Sequence, residues 1–247
     1  MVDTLTVMGG LYQAVSLLAA ALVPLALVEK KSSGAPSLRL PIMVTIALSA
    51  WYGIAMTVGA AGGIQTSLGA VPAALVALFT PIIIGLGAVR LVPALGQALA
   101  SPEARPKLIA MQTYRLLGPM FLVLVALDQM PAVFAIPAGL GDFITGLFAL
   151  STAAAVRNGN LNRGIWWNAF GLIDLAVALT IAVGTGPGPL HFIPATSSRL
   201  FTTAPFMLVP AFIVPLDIWL HIVSLRSLLL AGAASRTAKR VSQPAAA

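Results

Sequence analysis

Three aspartates interrupt long apolar stretches in the second half of the chain. They are Asp142 in PAGLGDFITG, Asp174 in NAFGLIDLAVAL and Asp217 in VPLDIWLHIVSL. A carboxylate at the centre of a bilayer costs at least ~2.5 kcal/mol, so such residues usually face the interior of a helix bundle and mark binding or proton-transfer sites. A rise of ~1.5 Å per residue places all three near one depth. The sequence therefore predicts an acidic site inside a membrane.

Histidine and arginine side chains accompany these carboxylates. His221 follows Asp217 by four residues, which places both on one helical face, where they can touch directly or through water. Gln112 and Arg115 share a face of an earlier stretch, and a buried arginine offsets part of the desolvation cost of an aspartate. One fixed positive charge against three carboxylates predicts that at least one aspartate is protonated or titrates near neutral pH. We predict that six residues bind substrate or protons: Asp142, Asp174, Asp217, His221, Arg115 and Gln112.

The donor set gives little support to a metal or a cofactor. The chain has no cysteine, which excludes thiolate ligands and cysteine nucleophiles. Its two histidines, His191 and His221, are expected on opposite sides of the membrane, and metal ligation needs more donors than one histidine and scattered carboxylates. We predict no metal, no cofactor and no assigned catalytic residue.

Seven apolar stretches must position these residues. Of 247 residues, 59% are hydrophobic and 9% are charged, against about 25% charged residues in an average soluble domain. The apolar runs are about 20 residues long, enough to cross ~30 Å of hydrocarbon, and they are apolar on every face, unlike barrel strands. The sequence predicts an all-α, polytopic membrane bundle in one domain, 1–228, followed by a disordered basic tail, 229–247. The helices are predicted near 8–28, 40–61, 70–92, 108–128, 131–156, 165–184 and 203–225.

The positive charges indicate how the bundle is oriented. With these seven helices, thirteen of the fourteen lysines and arginines fall on one side, and Arg199 falls on the other. Cytoplasmic loops retain positive charge, so we expect the amino terminus outside and the carboxyl terminus in the cytoplasm of a bacterial-type membrane. The net charge of +7 is explained by this asymmetry, and we predict the lipid bilayer rather than nucleic acid as the partner.

Two segments leave the topology open. The stretch QALASPEARPKLIAMQTYRLL before and within the fourth predicted helix also suits an amphipathic segment on the inner surface. The loop over 185–202 is rich in glycine and proline, and it either forms a lid or only connects two helices.

The preferred function is a small-solute transporter or permease. In this hypothesis the aspartates and His221 bind a solute or couple its movement to protons by alternating access. A membrane-embedded enzyme acting on a lipid, with Asp217 and His221 as acid and base, is the alternative, and a non-catalytic partner or sensor is a third. A hydrated cavity favours transport, a lateral opening to lipid favours the enzyme, and a dry network favours the structural role.

Overall fold

Seven helical segments cross the membrane. The structure, a computed structural model, describes residues 3–30, 36–62, 67–68, 71–186, 190–195, 199–202 and 204–242. Within these residues, seven segments are long and apolar enough to span a bilayer, which confirms the predicted all-helical, seven-span architecture. The spans cover Thr4–Ala26, Arg39–Ala60, Ala73–Leu91, Ala104–Ala126, Ala132–Arg157, Leu161–Thr185 and Val209–Thr237.

Nine α-helices form these spans and their connections in the described part of the chain. In chain order they are α1 (Thr4–Ala26), α2 (Arg39–Ala60), α3 (Ala73–Leu91), α4 (Pro93–Ala100), α5 (Ala104–Ala110), α6 (Met120–Ala126), α7 (Ala132–Arg157), α8 (Leu161–Thr185) and α9 (Val214–Ser242). Five predicted helices match α1, α2, α3, α7 and α8 to within a few residues. The fourth and seventh spans differ from the prediction in their internal geometry.

The fourth span is interrupted, where the sequence predicts one helix over 108–128. It consists of α5, a 3-10 helix over Met111–Leu117, and α6. Gly118 and Pro119 separate the 3-10 helix from α6, and proline has no N–H to continue the α-helical ladder. The middle of this span is therefore a more tightly wound 3-10 helix instead of a continuous α-helix.

The seventh span begins with a π-helix over Val209–Ile213 and continues as α9. The sequence predicts this helix over 203–225 and a disordered tail from 229. In the structure α9 instead continues to Ser242, through a stretch rich in alanine, leucine, lysine and arginine, which all favour helix. Residues 243–247, the end of the predicted tail, lie outside the described residues.

The connection between α3 and α5 contains the short helix α4, which the sequence analysis does not predict. Pro93 occupies its first position, where the missing N–H costs nothing and the fixed φ suits a helix. Leu95 and Leu99 of α4 are buried against the bundle. Arg105, at the start of α5, donates from Nε to Ser227 Oγ at 3.1 Å and so joins this region to α9.

Two short antiparallel strand pairs lie in the loops that flank α2. β1 (Glu29–Lys30) pairs with β2 (Pro36–Ser37), and β3 (Ser67–Leu68) pairs with β4 (Val71–Pro72).

The loop over 185–202 folds back on the end of α8 where it is described. The N–H groups of Phe192 and Ile193 both donate to the Gly184 carbonyl, at 3.0 and 2.9 Å. The proposed lid also involves 187–189 and 196–198, which lie outside the described residues.

The second half of the chain forms the centre of the bundle. α7 packs against α8 and against the 3-10 helix, α8 packs against α9, and α9 packs against α3. α2 and α3 lie at the periphery, where side chains such as Ile46 and Ile83 are 64% and 67% exposed, as expected of a surface that faces lipid. The fifth span is therefore a neighbour of the sixth, and the sixth a neighbour of the seventh.

Glycines allow the fourth span and α7 to approach at backbone distance. A Cβ atom on Gly139 would lie 2.9 Å from the Gly118 carbonyl oxygen, and one on Gly146 would lie 2.8 Å from the Arg115 carbonyl carbon. Helix association in membranes depends on such small residues, because lipid supplies no hydrophobic drive between helices. These contacts hold the 3-10 helix against α7.

Candidate functional site

A single guanidinium joins three spans at the centre of the bundle. Arg115 donates from Nε to Asp142 Oδ1 at 2.7 Å and from Nη2 to Asp174 Oδ2 at 2.7 Å. Its Nη1 lies 2.8 Å from His221 Nε2. Only 1% of the Arg115 side chain is exposed, so these bonds form away from bulk water. The planar guanidinium of arginine suits this role, since its N–H groups can donate hydrogen bonds to residues of α7, α8 and α9 at the same time.

Asp217 is held by a different residue of the fourth span. The Tyr114 hydroxyl donates to Asp217 Oδ1, and both residues are buried. Consecutive residues of a 3-10 helix point about 120° apart, so Tyr114 and Arg115 reach different neighbours. Among the described residues, no hydrogen bond joins Asp217 to His221, although the sequence analysis allows one. Tyr114 is a site residue that the sequence does not reveal, because a tyrosine in an apolar stretch carries no distinctive signal.

His221 is neutral, and its tautomer follows from its two neighbours. Asn168 uses its amide nitrogen to donate to the Gly164 carbonyl at 2.8 Å and to Ser224 Oγ at 3.0 Å. Its Oδ1 must therefore accept, and it lies 3.0 Å from His221 Nδ1, which donates. Nε2 then has a lone pair and accepts from Arg115, which has only donors. A second proton on His221 would break the bond to Arg115.

Aromatic and glycine residues position the histidine ring. Trp167 packs beside His221 with ring centroids 4.9 Å apart, and its Nε1 donates to the Thr145 carbonyl at 3.0 Å. A Cβ on Gly171 would overlap the His221 ring, and one on Gly141 would overlap the Asp174 carboxylate. The glycines thus make room for the polar groups that Arg115 joins.

The neighbouring tryptophans have different environments. Tryptophans of membrane proteins often lie in an aromatic belt at the membrane surface. Trp166 is 76% exposed and fits that role, whereas Trp167 is 6% exposed and lies in the interior.

An internal cavity of about 70 Å³ adjoins this network. Its lining is mainly apolar and includes Tyr12, Phe121 and Phe134. The carboxylates of Asp142, Asp174 and Asp217 line it as well, next to Tyr114 and Arg115. Asp142 and Asp174 side chains are 22% and 9% accessible to water, in contrast to the 1% of Arg115. A buried water needs roughly 10–15 Å³ of such space, so the cavity has room for several waters or one small solute.

The first span contributes to the cavity, although none of the six predicted site residues lies in it. Tyr12 and Val15 of α1 line the cavity. The Tyr12 side chain is 7% exposed, and its hydroxyl has no hydrogen-bond partner among the described residues.

Gln112 lies apart from the hydrogen-bond network of Arg115. It is completely buried, and neither atom of its amide group has a hydrogen-bond partner in the described part of the chain. Its predicted role in binding substrate or protons stays a prediction.

No metal-binding cluster is found within the described ranges. Nowhere in them do three or more histidine, aspartate or glutamate side chains come together in a way that could hold a metal ion. The arrangement can instead exchange protons and bind a small polar or charged solute, because it combines carboxylates, a guanidinium and water access.

One family comparison covers the site. A family model described as a domain of unknown function, DUF8737, matches residues 71–229, a segment that contains α3 to α8 and the part of α9 that carries Asp217 and His221. Comparisons with curated proteins and with solved structures found no match. Tyr12 lies outside the matched segment.

Proposed function

The chain belongs to the DUF8737 family, whose description names no activity, and from the site itself we propose a permease that couples a small solute to protons. The protein is a multi-pass membrane protein with seven spans. In our proposal it resides in a bacterial-type cytoplasmic membrane with its amino terminus outside. Asp142, Asp174 and Asp217 hold the solute or the proton.

The observation that carries the proposal is the water-accessible cavity among the three aspartates. A polar network that only joins helices has no need of space at its centre, and buried polar groups are normally packed and fully hydrogen-bonded. Here about 70 Å³ is left open, and 22% of the Asp142 side chain is accessible to water. The cavity therefore favours binding over a purely structural role.

The charge balance gives a mechanism for coupling. The ionisable groups at the cavity come from five spans. They are Tyr12 of α1, Tyr114 and Arg115 of the fourth span, Asp142 of α7, Asp174 of α8 and Asp217 of α9. His221 of α9 contacts the far side of Arg115. With all carboxylates ionised and His221 neutral, the group carries two net negative charges. Each proton taken up removes one of these charges.

Proton uptake also changes how the spans are joined. Protonation of Asp142 or Asp174 removes an ionic partner of Arg115, and the bond between the fourth span and α7 or α8 then weakens. A proton can in this way shift the balance between two arrangements of the bundle, which is the requirement for alternating access.

Non-α backbone on two sides of the cavity supports such movement. The 3-10 helix carries Tyr114 and Arg115, and the π-helix over Val209–Ile213 contributes both of its end residues to the cavity wall. Isolated π-turns are frequent at functional sites, and interrupted spans form the binding sites of many transporters.

The enzyme alternative has less support from the geometry. Asp217 bonds to Tyr114, while His221 bonds to Arg115 and Asn168. A general acid or base needs a free donor or acceptor within reach of a substrate proton, and His221 has both ring nitrogens already engaged.

Proton flux into proteoliposomes tests the proposal. Wild type is compared with Asp142→Asn, Asp174→Asn and Asp217→Asn while a pH gradient and a panel of small solutes are applied. Asp128→Asn is the matched control, because Asp128 lies in an exposed turn at φ 53°, a conformation that asparagine adopts readily.

We expect solute-dependent proton flux in wild type and in Asp128→Asn, and a loss of at least about tenfold in Asp142→Asn and Asp174→Asn. Circular dichroism and gel filtration verify that each variant is folded. If folded wild type and all variants conduct protons no faster than empty liposomes with every solute, the proposal is wrong.

A further inference from the structure

The charges around the cavity select for a cation. Arg115 is already engaged by two carboxylates and His221, so its positive charge is not free for a ligand. Asp217 accepts from Tyr114, an uncharged donor. A cation in the cavity would offset the remaining negative charge, whereas an anion would meet three carboxylates at close range.

Aromatic rings form part of the wall of the same cavity. Tyr12 and Phe121 stack with centroids 6.1 Å apart, and Phe121 and Phe134 meet edge to face at 5.9 Å. Aromatic faces attract organic ammonium groups, while alkali metal ions prefer oxygen ligands. Ala138 and Leu175 complete a surface suited to a short alkyl group.

Tyr12, which lines the cavity, has a buried hydroxyl without a partner among the described residues, and this observation is independent of the acidic cluster. The Tyr12 hydroxyl oxygen is buried without a hydrogen bond to any described residue, which is costly for a polar group in an apolar setting. A phenolic oxygen can accept a hydrogen bond from N–H. A ligand with several N–H donors would satisfy Tyr12 and a carboxylate together.

The size of the cavity limits the ligand. A volume of about 70 Å³ corresponds to a few water-sized positions and excludes a sugar in this conformation. The described residues also present no metal-binding cluster.

We propose that the cavity binds ammonium or a protonated short-chain primary amine, held between the aspartates, the Tyr12 hydroxyl and the aromatic wall. This inference rests on the proposed function, since it names the class of solute. The ammonium ion and the proton compete for the same carboxylates, so binding of one releases the other. The transport cycle is then an exchange of amine cation for proton.

Calorimetric titration of the purified full chain in lipid nanodiscs tests the proposal with methylammonium as the probe. Potassium tests for a charge-only site, methanol for a neutral ligand of similar size, and acetate for an anion site. Repeating the titration in buffers of different ionisation enthalpy measures proton release.

Two tyrosine variants test the geometry. Tyr12→Phe removes the unpartnered hydroxyl and keeps the ring, so folding should be retained. Tyr52→Phe is the matched control, since Tyr52 packs edge to face on Phe212 and does not line the cavity.

We expect methylammonium to bind with release of a proton and potassium to bind at least about tenfold more weakly. We expect Tyr12→Phe to weaken methylammonium binding by about tenfold and Tyr52→Phe to leave it unchanged.

Equal binding of potassium and methylammonium, or wild-type affinity in Tyr12→Phe, would overturn the proposal even if the other variants behave as expected. Tighter binding of acetate or methanol would also overturn it. Solute-dependent proton flux without methylammonium binding refutes this inference and leaves the permease proposal standing. Binding of methylammonium in a protein that moves no protons refutes the permease proposal and retains the site.

Discussion

Replacing Arg115 with glutamine removes the group on which the site is built. The guanidinium makes hydrogen bonds of 2.7 Å to Asp142, 2.7 Å to Asp174 and 2.8 Å to His221. Glutamine is shorter, carries no charge and cannot form hydrogen bonds to residues on three helices. Two carboxylates are then left in the bundle without a counter-charge.

The expected loss of stability is large. Removing one partner of a buried ion pair costs ~3–5 kcal/mol, because the remaining charge stays desolvated. Whole proteins are stable by only ~5–15 kcal/mol, so Arg115→Gln should remove about a fifth or more of the free energy of unfolding. Arg115→Lys keeps the positive charge but loses the planar set of N–H donors, so its free energy of unfolding should lie between those of wild type and Arg115→Gln.

Rescue by the aspartates distinguishes this explanation from general damage to packing. Neutralising Asp142 and Asp174 to asparagine on the Arg115→Gln background removes the unpaired charges. We expect this triple variant to be more stable than Arg115→Gln alone by about 0.5–3 kcal/mol, the range of coupling energies between contacting groups.

Reversible unfolding in mixed micelles, with circular dichroism as the readout, measures these differences. Arg163→Gln is the matched control, because Arg163 lies at the exposed start of α8 and its side chain bonds only to Ser151 Oγ, at 2.9 Å, among the described residues. Its stability should change by less than about 0.5 kcal/mol. A loss below about 1 kcal/mol in Arg115→Gln, or further destabilisation in the triple variant, would refute the reasoning.

Two further predictions concern packing and topology. Gly171→Ala places a methyl group in the His221 ring and should lower the free energy of unfolding by about 1–3 kcal/mol. Gly87→Ala, with no described atom within 4 Å of the new methyl group, should be neutral or slightly stabilising. Equal thermal stability of the two variants would contradict this prediction. Because the chain has no cysteine, Gln129→Cys and Asn158→Cys can each be labelled with an impermeant maleimide in intact cells. We expect labelling from outside at the Gln129 position and only after permeabilisation at the Asn158 position, and labelling of both from one side would contradict a membrane-spanning α7.

The sequence by itself determined the number of spans and the chemistry of the site. A membrane span needs only a local run of about 20 apolar residues, and such a run is visible without knowledge of its neighbours. The aspartates were equally visible, because a charge within an apolar run is costly wherever the helix packs. Arg115 and His221 could be found for the same reason, and the structure places Arg115 against two of these carboxylates and His221 against Arg115.

Tertiary structure alone decided which groups meet. Tyr114 and Asn168 bond to residues 103 and 53 positions away in the chain, and nothing in their own segments identifies those partners. The 3-10 helix that directs Tyr114 and Arg115 toward different helices is held by backbone contact between the fourth span and α7. The cavity is likewise a property of five spans together, and it includes Tyr12 from a helix whose sequence resembles simple lipid-facing scaffold. The length of an apolar run is a local property of the sequence, whereas the pairing of polar groups depends on how separate helices pack. The arrangement of the site could therefore be seen only in the tertiary structure.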